Sequence, residues 1–242
     1  SFLSISLVGY FNTAWILSIS SFIIVLPFSN SLLPYFSILD GRENKNLLHD
    51  RLAYSTWLLS NLTILISIPL FIFSYEILSL WINAECAIYM GTPLRFLILA
   101  NWVSSLNIGL GQFIMGVDLV RENTIWLWLR GIISITLTFF FIKNFGVYTA
   151  GLGYFISQFS IAWLIFIVWK KRFHKKVDFV DYARGFLQPL ASGFFVMSIL
   201  LIFKETISMQ ITSMSILILC LLITGIIAAI LSILINLMFK EL

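Results

Sequence analysis

Long apolar runs separated by short polar stretches set the pattern of this chain. Crossing the hydrocarbon core of a bilayer takes about 20 mostly apolar residues in a helix. Seven segments meet or approach that length: Ala14–Ile38, Ala53–Tyr75, Thr92–Val117, Thr124–Ile142, Val147–Trp169, Phe186–Phe203 and Ser213–Phe239. The sixth is the shortest and contains Pro189. Ten-residue blocks of alternating polarity, the mark of a membrane β-barrel, do not occur. The pattern predicts an all-α integral membrane protein with seven transmembrane helices.

Polar residues inside these spans are not scattered. At about 100° per residue, Ser20, Pro27, Asn30, Ser31 and Pro34 fall along one face of the first span. In the third, Asn101, Ser105 and Gln112 lie within about 40° of one another, and Gly151, Tyr154 and Gln158 form a similar row in the fifth. Lipid offers such faces no partners, so they must meet protein or water. A shared hydrated cavity and ordinary hydrogen bonds between helices are the two readings. Pro27 and Pro34 each remove a backbone donor and free a carbonyl one turn earlier. They predict kinks in the first span, suited to a moving element.

Composition agrees with the membrane reading. The chain of 242 residues is 60% hydrophobic and 11% charged, with a mean hydropathy of +1.00, too apolar for a soluble domain. Cys86 and Cys220 are too far apart in sequence to suggest a disulfide framework or a metal cluster. No metal or cofactor is expected. A net charge of +4 raises nucleic acid as a partner, but the basic residues sit in connections between spans, the signature of membrane orientation.

Arg42, Lys45, Arg51, Arg121, Lys170, Lys171, Arg172, Lys175, Lys176, Arg184 and Lys240 share one side, against Lys143 and Lys204 on the other. This asymmetry predicts a cytoplasmic C-terminus. The first helix must then run inward, which suggests an odd number of helices upstream of Ser1. Trp81 and Trp169 fall near span ends as interface anchors. The basic connection from Lys170 to Arg184 orients the chain and touches anionic headgroups of membrane lipids.

Several motifs carry little chemistry. Asn61-Leu62-Thr63 matches a glycosylation acceptor but lies within a span. Gly109-x-Gly111 and Gly151-x-Gly153 follow no strand, so close helix packing is their expected role. His49 and His174 stand singly in basic connections, and no catalytic set is apparent. Arg95 and Arg130 are the charged residues inside spans, with every Asp and Glu in connections or at the end. An arginine at mid-bilayer costs about 2.5–3.5 kcal/mol. Either it snorkels to the headgroups, or it meets an anion such as phosphate or an acid on other helices.

The stretch VGYFNTAWILSISSFIIVLPFSNSLLPYFS resembles a block in polysaccharide flippases of the multidrug/oligosaccharidyl-lipid/polysaccharide exporter superfamily. Val8, Gly9, Tyr10, Phe11 and Ala14 stand in its opening turn, with Leu26, Pro27, Pro34 and Ser37 at the helix end. EILSLWI (Glu76–Ile82) and KNFGVYTAGLGYFISQ (Lys143–Gln158) are similar to later blocks of the same family, in the same order. The resemblance covers about Val8 to Arg172 and points to the Wzx-like O-antigen branch.

The resemblance implies that the chain corresponds to the second lobe of a two-lobe flippase, without its first helix. Residues 1–172 would form five helices of that lobe, and 173–242 a basic cytoplasmic connection with a C-terminal helix pair. The expected partner is an undecaprenyl-diphosphate-linked oligosaccharide in a bacterial inner membrane, with an N-terminal lobe completing the cavity. Arg95 and Arg130 would attract phosphate or acidic sugar, while Asn30, Asn101, Gln112 and Gln158 would offer exchangeable hydrogen bonds. No bond is made or broken, so the expectation is a transporter and not an enzyme. Rival readings are a drug exporter of the same superfamily, an O-antigen polymerase-type membrane enzyme, and an inactive truncated product.

Overall fold

A computed structural model describes residues 5–23, 25–41, 45–174, 177–208 and 213–240. Helices make up almost all of this, and no strand occurs among the described residues. Seven helical stretches are long and apolar enough to cross a membrane, which makes the chain a multi-pass membrane protein by length and composition.

The first crossing is broken rather than continuous. Helix α1 (Ile5–Ile19) tightens into a 3₁₀ turn at Ser20–Phe22, then α2 (Val25–Asn30) and α3 (Leu32–Gly41) follow. The proline positions explain both breaks. A helical proline clashes with the carbonyl four residues earlier. That residue is Ile23 for Pro27, where the chain turns, and Asn30 for Pro34, where α2 ends. Serine hydroxyls assist by bonding backward: Ser18 donates to the Trp15 carbonyl (2.7 Å), Ser20 to Leu17 (2.6 Å) and Ser21 to Ser18 (3.0 Å). Such bonds compete with the helical ladder and bend it. The sequence-based start at Ala14 is too late, because the helix begins at Ile5.

Helix α4 (Lys45–Ile72) is followed by the short α5 (Ser74–Trp81), and then by α6 (Ala84–Gly116). Asn83 caps α6 by accepting a hydrogen bond from the Cys86 amide at 2.7 Å. This cap places the start of α6 two turns before the apolar run at Thr92. Helix α7 (Val120–Phe145) ends at Gly146, whose φ of +58° only glycine adopts easily. Helices α8 (Tyr148–Gln158) and α9 (Ile161–Val168) continue into a π-helical turn, Trp169–Phe173. Helices α10 (Phe179–Ser208) and α11 (Met214–Lys240) complete the chain.

The centre is α6, which packs against α1, α3, α4, α5 and α8. On one flank α10 and α11 cover α4; on the other, α7 leans on α8. Little of α7 is buried, as suits an apolar helix solvated by lipid. Small residues set the approaches. A Cβ on Gly109 would stand 3.2 Å from Thr56 Oγ1, one on Gly151 2.9 Å from the Pro93 carbonyl oxygen, and one on Gly153 3.2 Å from that of Ser134. Gly111 is different, with only the Asn107 side chain of its own helix within reach. On the far flank, Pro69 leaves the Leu65 carbonyl without its helical donor, and a Cβ on Gly225 would stand 2.6 Å from that oxygen.

The two ends of the bundle are tied separately. At one, Arg172 donates to the Val117 carbonyl and pairs with Asp40 (3.5 Å), while Lys171 pairs with Glu122. At the other, the Tyr10 hydroxyl donates to Glu85 (3.4 Å) and accepts from Asn83 (3.4 Å), and Lys204 pairs with Glu76 (3.5 Å). Residues that the charge count assigns to one side of the membrane therefore meet at one end of the molecule. Arg42, Lys175 and Lys176 lie outside the described residues.

Candidate functional site

Two apolar clusters fill the bundle. One includes Ala14, Ile64, Leu97 and Trp102; the other includes Phe36, Leu52, Phe113 and Trp126. Small polar side chains occur at intermediate positions along the same helices: Ser18, Ser21, Ser55, Thr56, Ser60, Asn101 and Ser105, all buried. On α4 the hydroxyls of Thr56, Ser60, Thr63 and Ser67 repeat at helical spacing on a buried face. Those of Thr56, Ser60 and Ser67 have no hydrogen-bond partner.

Asn101 organises this region. Its amide nitrogen donates to Ser18 Oγ of α1 at 3.0 Å, and its oxygen accepts from the Tyr154 hydroxyl of α8 at 3.4 Å. Both ends of one side chain thus tie α1 and α8 to α6. The Trp15 ring meets the Tyr154 ring edge-on, with centroids 5.0 Å apart. Of the two readings open for the polar rows, direct bonding between helices accounts for Asn101.

Arg130 extends the cluster. It lies six residues past Thr124, where the apolar run of α7 begins, about 9 Å along the axis and so about a third of the way into a 30 Å hydrocarbon core. Its guanidinium carbon stands over the Trp126 ring at 4.8 Å and the Tyr154 ring at 5.8 Å. One terminal nitrogen points to Gln158 Oε1 at 3.4 Å, a long contact. The group is therefore turned inward between α7 and α8, not outward along the lipid face. Among the described residues no carboxylate lies within ion-pair distance of it.

Two further donors in the residues around Arg130 lack a good acceptor, the Gln158 amide lying against the Tyr154 hydroxyl without a well-formed bond. Gln158 Nε2 and Trp126 Nε1 are both buried without a hydrogen-bond partner, in residues exposed by 1% and 0%. Desolvated donors of this kind are costly when unmatched. A cation with two neighbouring unmatched donors is a place for an anionic acceptor such as phosphate or carboxylate.

The remaining sequence candidates are elsewhere. Arg95 donates through Nε to Ser74 Oγ at 2.9 Å and stands over the Phe71 ring at 5.7 Å, on the side of α6 that meets α4 and α5. Asn30 is exposed at the end of α2, and Gln112 is half-buried on α6. Pro27 and Pro34 are exposed beside the breaks they cause. Of the six candidate contact residues, only Asn101, Gln158 and Arg130 come together.

Ser18 and Trp15 joined the cluster without having stood out in the sequence, whereas Trp126 is close to Arg130 in the sequence itself. Serine and tryptophan are ordinary in membrane helices, and only the i, i+4 spacing of Trp126 and Arg130 signals the stacking. Asn61 also found a use. Its oxygen accepts from Ser232 Oγ of α11 (2.6 Å), and Ser232 in turn lies 3.3 Å from Ser192 Oγ of α10. Compared with protein-family models, curated proteins and solved structures, the chain matches none.

Proposed function

We propose that this chain is part of a membrane transporter, a flippase that moves an undecaprenyl-diphosphate-linked oligosaccharide from the inner to the outer leaflet of a bacterial inner membrane. The observation that carries this reading is Arg130: a cation about two turns inside its span, turned inward, without a counter-ion among the described residues, and beside the poorly matched donors of Gln158 and Trp126. A diphosphate supplies both the negative charge and the acceptors that these groups lack. The family resemblance supplies the lipid-linked saccharide, and the broken α1–α3 crossing supplies an element able to bend.

A drug exporter of the same superfamily is the second reading. Ion coupling there would call for a carboxylate inside the membrane; the acidic residues of this chain fall in connections or near helix ends, so an N-terminal lobe would have to supply it. The test is glycan display at the cell surface per unit of membrane protein, in cells that depend on the protein carrying this chain. Arg95→Ala and Arg130→Ala are compared with their Lys counterparts. Lys keeps the charge but not the planar fork that pairs bidentately with phosphate, so it restores part of the display at a phosphate contact. Wild-type display in both Ala variants would remove the substrate reading.

A further inference from the structure

The Arg130 cluster is physically continuous with the break in α1. Tyr154 takes part at both ends: its ring lies beneath the Arg130 guanidinium, and its hydroxyl reaches Asn101. Asn101 passes the connection to Ser18, the next-to-last residue of α1. Directly beyond Ser18 the helix tightens into Ser20–Phe22 and turns at Ile23.

We propose that Tyr154, Asn101 and Ser18 form a hydrogen-bonded relay that couples anion occupancy at Arg130 and Gln158 to the geometry of the α1 break. This inference rests on the reading of Arg130 as an anion site. The bond lengths show where the relay yields. The Tyr154–Asn101 contact is long at 3.4 Å, whereas Asn101–Ser18 is an ordinary 3.0 Å. An anion drawing Arg130 and Gln158 toward itself shifts the ring that stacks under the guanidinium. The hydroxyl on that ring then tightens or releases Asn101.

Ser18 is a sensitive place to receive that change. Its hydroxyl accepts from Asn101 and also donates to the Trp15 carbonyl, and its own carbonyl accepts from Ser21. The last turn of α1 is thus held by side-chain bonds where the backbone ladder is irregular. A switch requires a second arrangement of similar energy, which exchange of these side-chain bonds for backbone bonds would supply here. Trp15 adds a second contact between α1 and Tyr154, so the ring and the hydroxyl act on the same turn.

The experiment places spin labels at Ile16→Cys and Phe28→Cys, both exposed and on opposite sides of the break, with Cys86 and Cys220 replaced by alanine. The full chain is held in nanodiscs with farnesyl diphosphate as the anionic probe and farnesol as the uncharged control. Binding is read from tryptophan fluorescence, and the label separation by pulsed electron resonance. Farnesyl diphosphate is expected to bind and to shift the mean separation by about 2 Å; farnesol does neither. Ser18→Ala is expected to bind the probe and lose the shift, and Tyr154→Phe, which keeps the ring but not the hydroxyl, is expected to lose it as well. A shift of wild-type size in both variants overturns the relay and leaves the anion site standing. Failure of the unsubstituted chain to bind the probe overturns the anion site, and the relay with it.

Discussion

Replacing Arg130 with methionine separates a structural role from a ligand role, because the two predict opposite changes in stability. A charged side chain at mid-bilayer costs about 2.5–3.5 kcal/mol, and less at the shallower depth of Arg130. Against this stand two ring contacts, at 4.8 Å to Trp126 and 5.8 Å to Tyr154. The first is well inside the useful range and the second near its limit, so together they return about 1.5 kcal/mol. The 3.4 Å contact to Gln158 adds little. Up to about 2 kcal/mol of the cost therefore stands uncompensated in the unliganded protein. Methionine fills similar volume without charge, so Arg130→Met is expected to raise the unfolding midpoint in detergent, by on the order of 2–4 °C for each kcal/mol of that excess. The same change removes a charge-assisted contact to the anion, worth about 1.5–3 kcal/mol, or about 10- to 150-fold in affinity for a polyprenyl diphosphate. The assays are thermal unfolding and probe binding on the same preparation, with glycan display per unit of protein as the functional readout. A lower midpoint together with unchanged binding would refute the reasoning and make Arg130 a packing residue.

Three further outcomes are expected. Replacing both Pro27 and Pro34 with alanine restores the backbone bonds at Ile23 and Asn30; insertion stays intact and transport slows, and equal transport at matched expression would reduce the breaks to packing features. Gly151→Ala sets a methyl group 2.9 Å from the Pro93 carbonyl and costs about 1–3 kcal/mol, whereas Gly111→Ala, inside α6 with room around it, gains about 0.4–1 kcal/mol and raises the unfolding midpoint. A cysteine at Ala84 is labelled by impermeant maleimide in intact cells with a permeabilised outer membrane, and one at Lys170 only after the inner membrane is opened. Labelling of the Lys170 position in sealed cells would reverse the orientation drawn from the charge count.

Hydropathy alone fixed the class and the number of crossings, because each apolar run of this length has one stable answer in lipid: a helix with its backbone bonds satisfied internally. Proline chemistry likewise made the bends at Pro27 and Pro34 legible, since a lost donor and a displaced carbonyl are local effects. Helix ends were less legible. Asn83 starts α6 through a cap that hydropathy does not register, and α1 starts well before the run at Ala14 is fully apolar. Partners were the least legible of all. Angular position separated Arg95 from the Asn101 row by roughly 120°, but only packing turned Arg95 to Ser74 and Arg130 to Gln158. Which polar side chains meet depends on which helices become neighbours, and at what depth. Those choices come from non-local approaches such as Gly109 on Thr56 and Gly151 on Pro93, where the absence of one Cβ sets the spacing of whole helices.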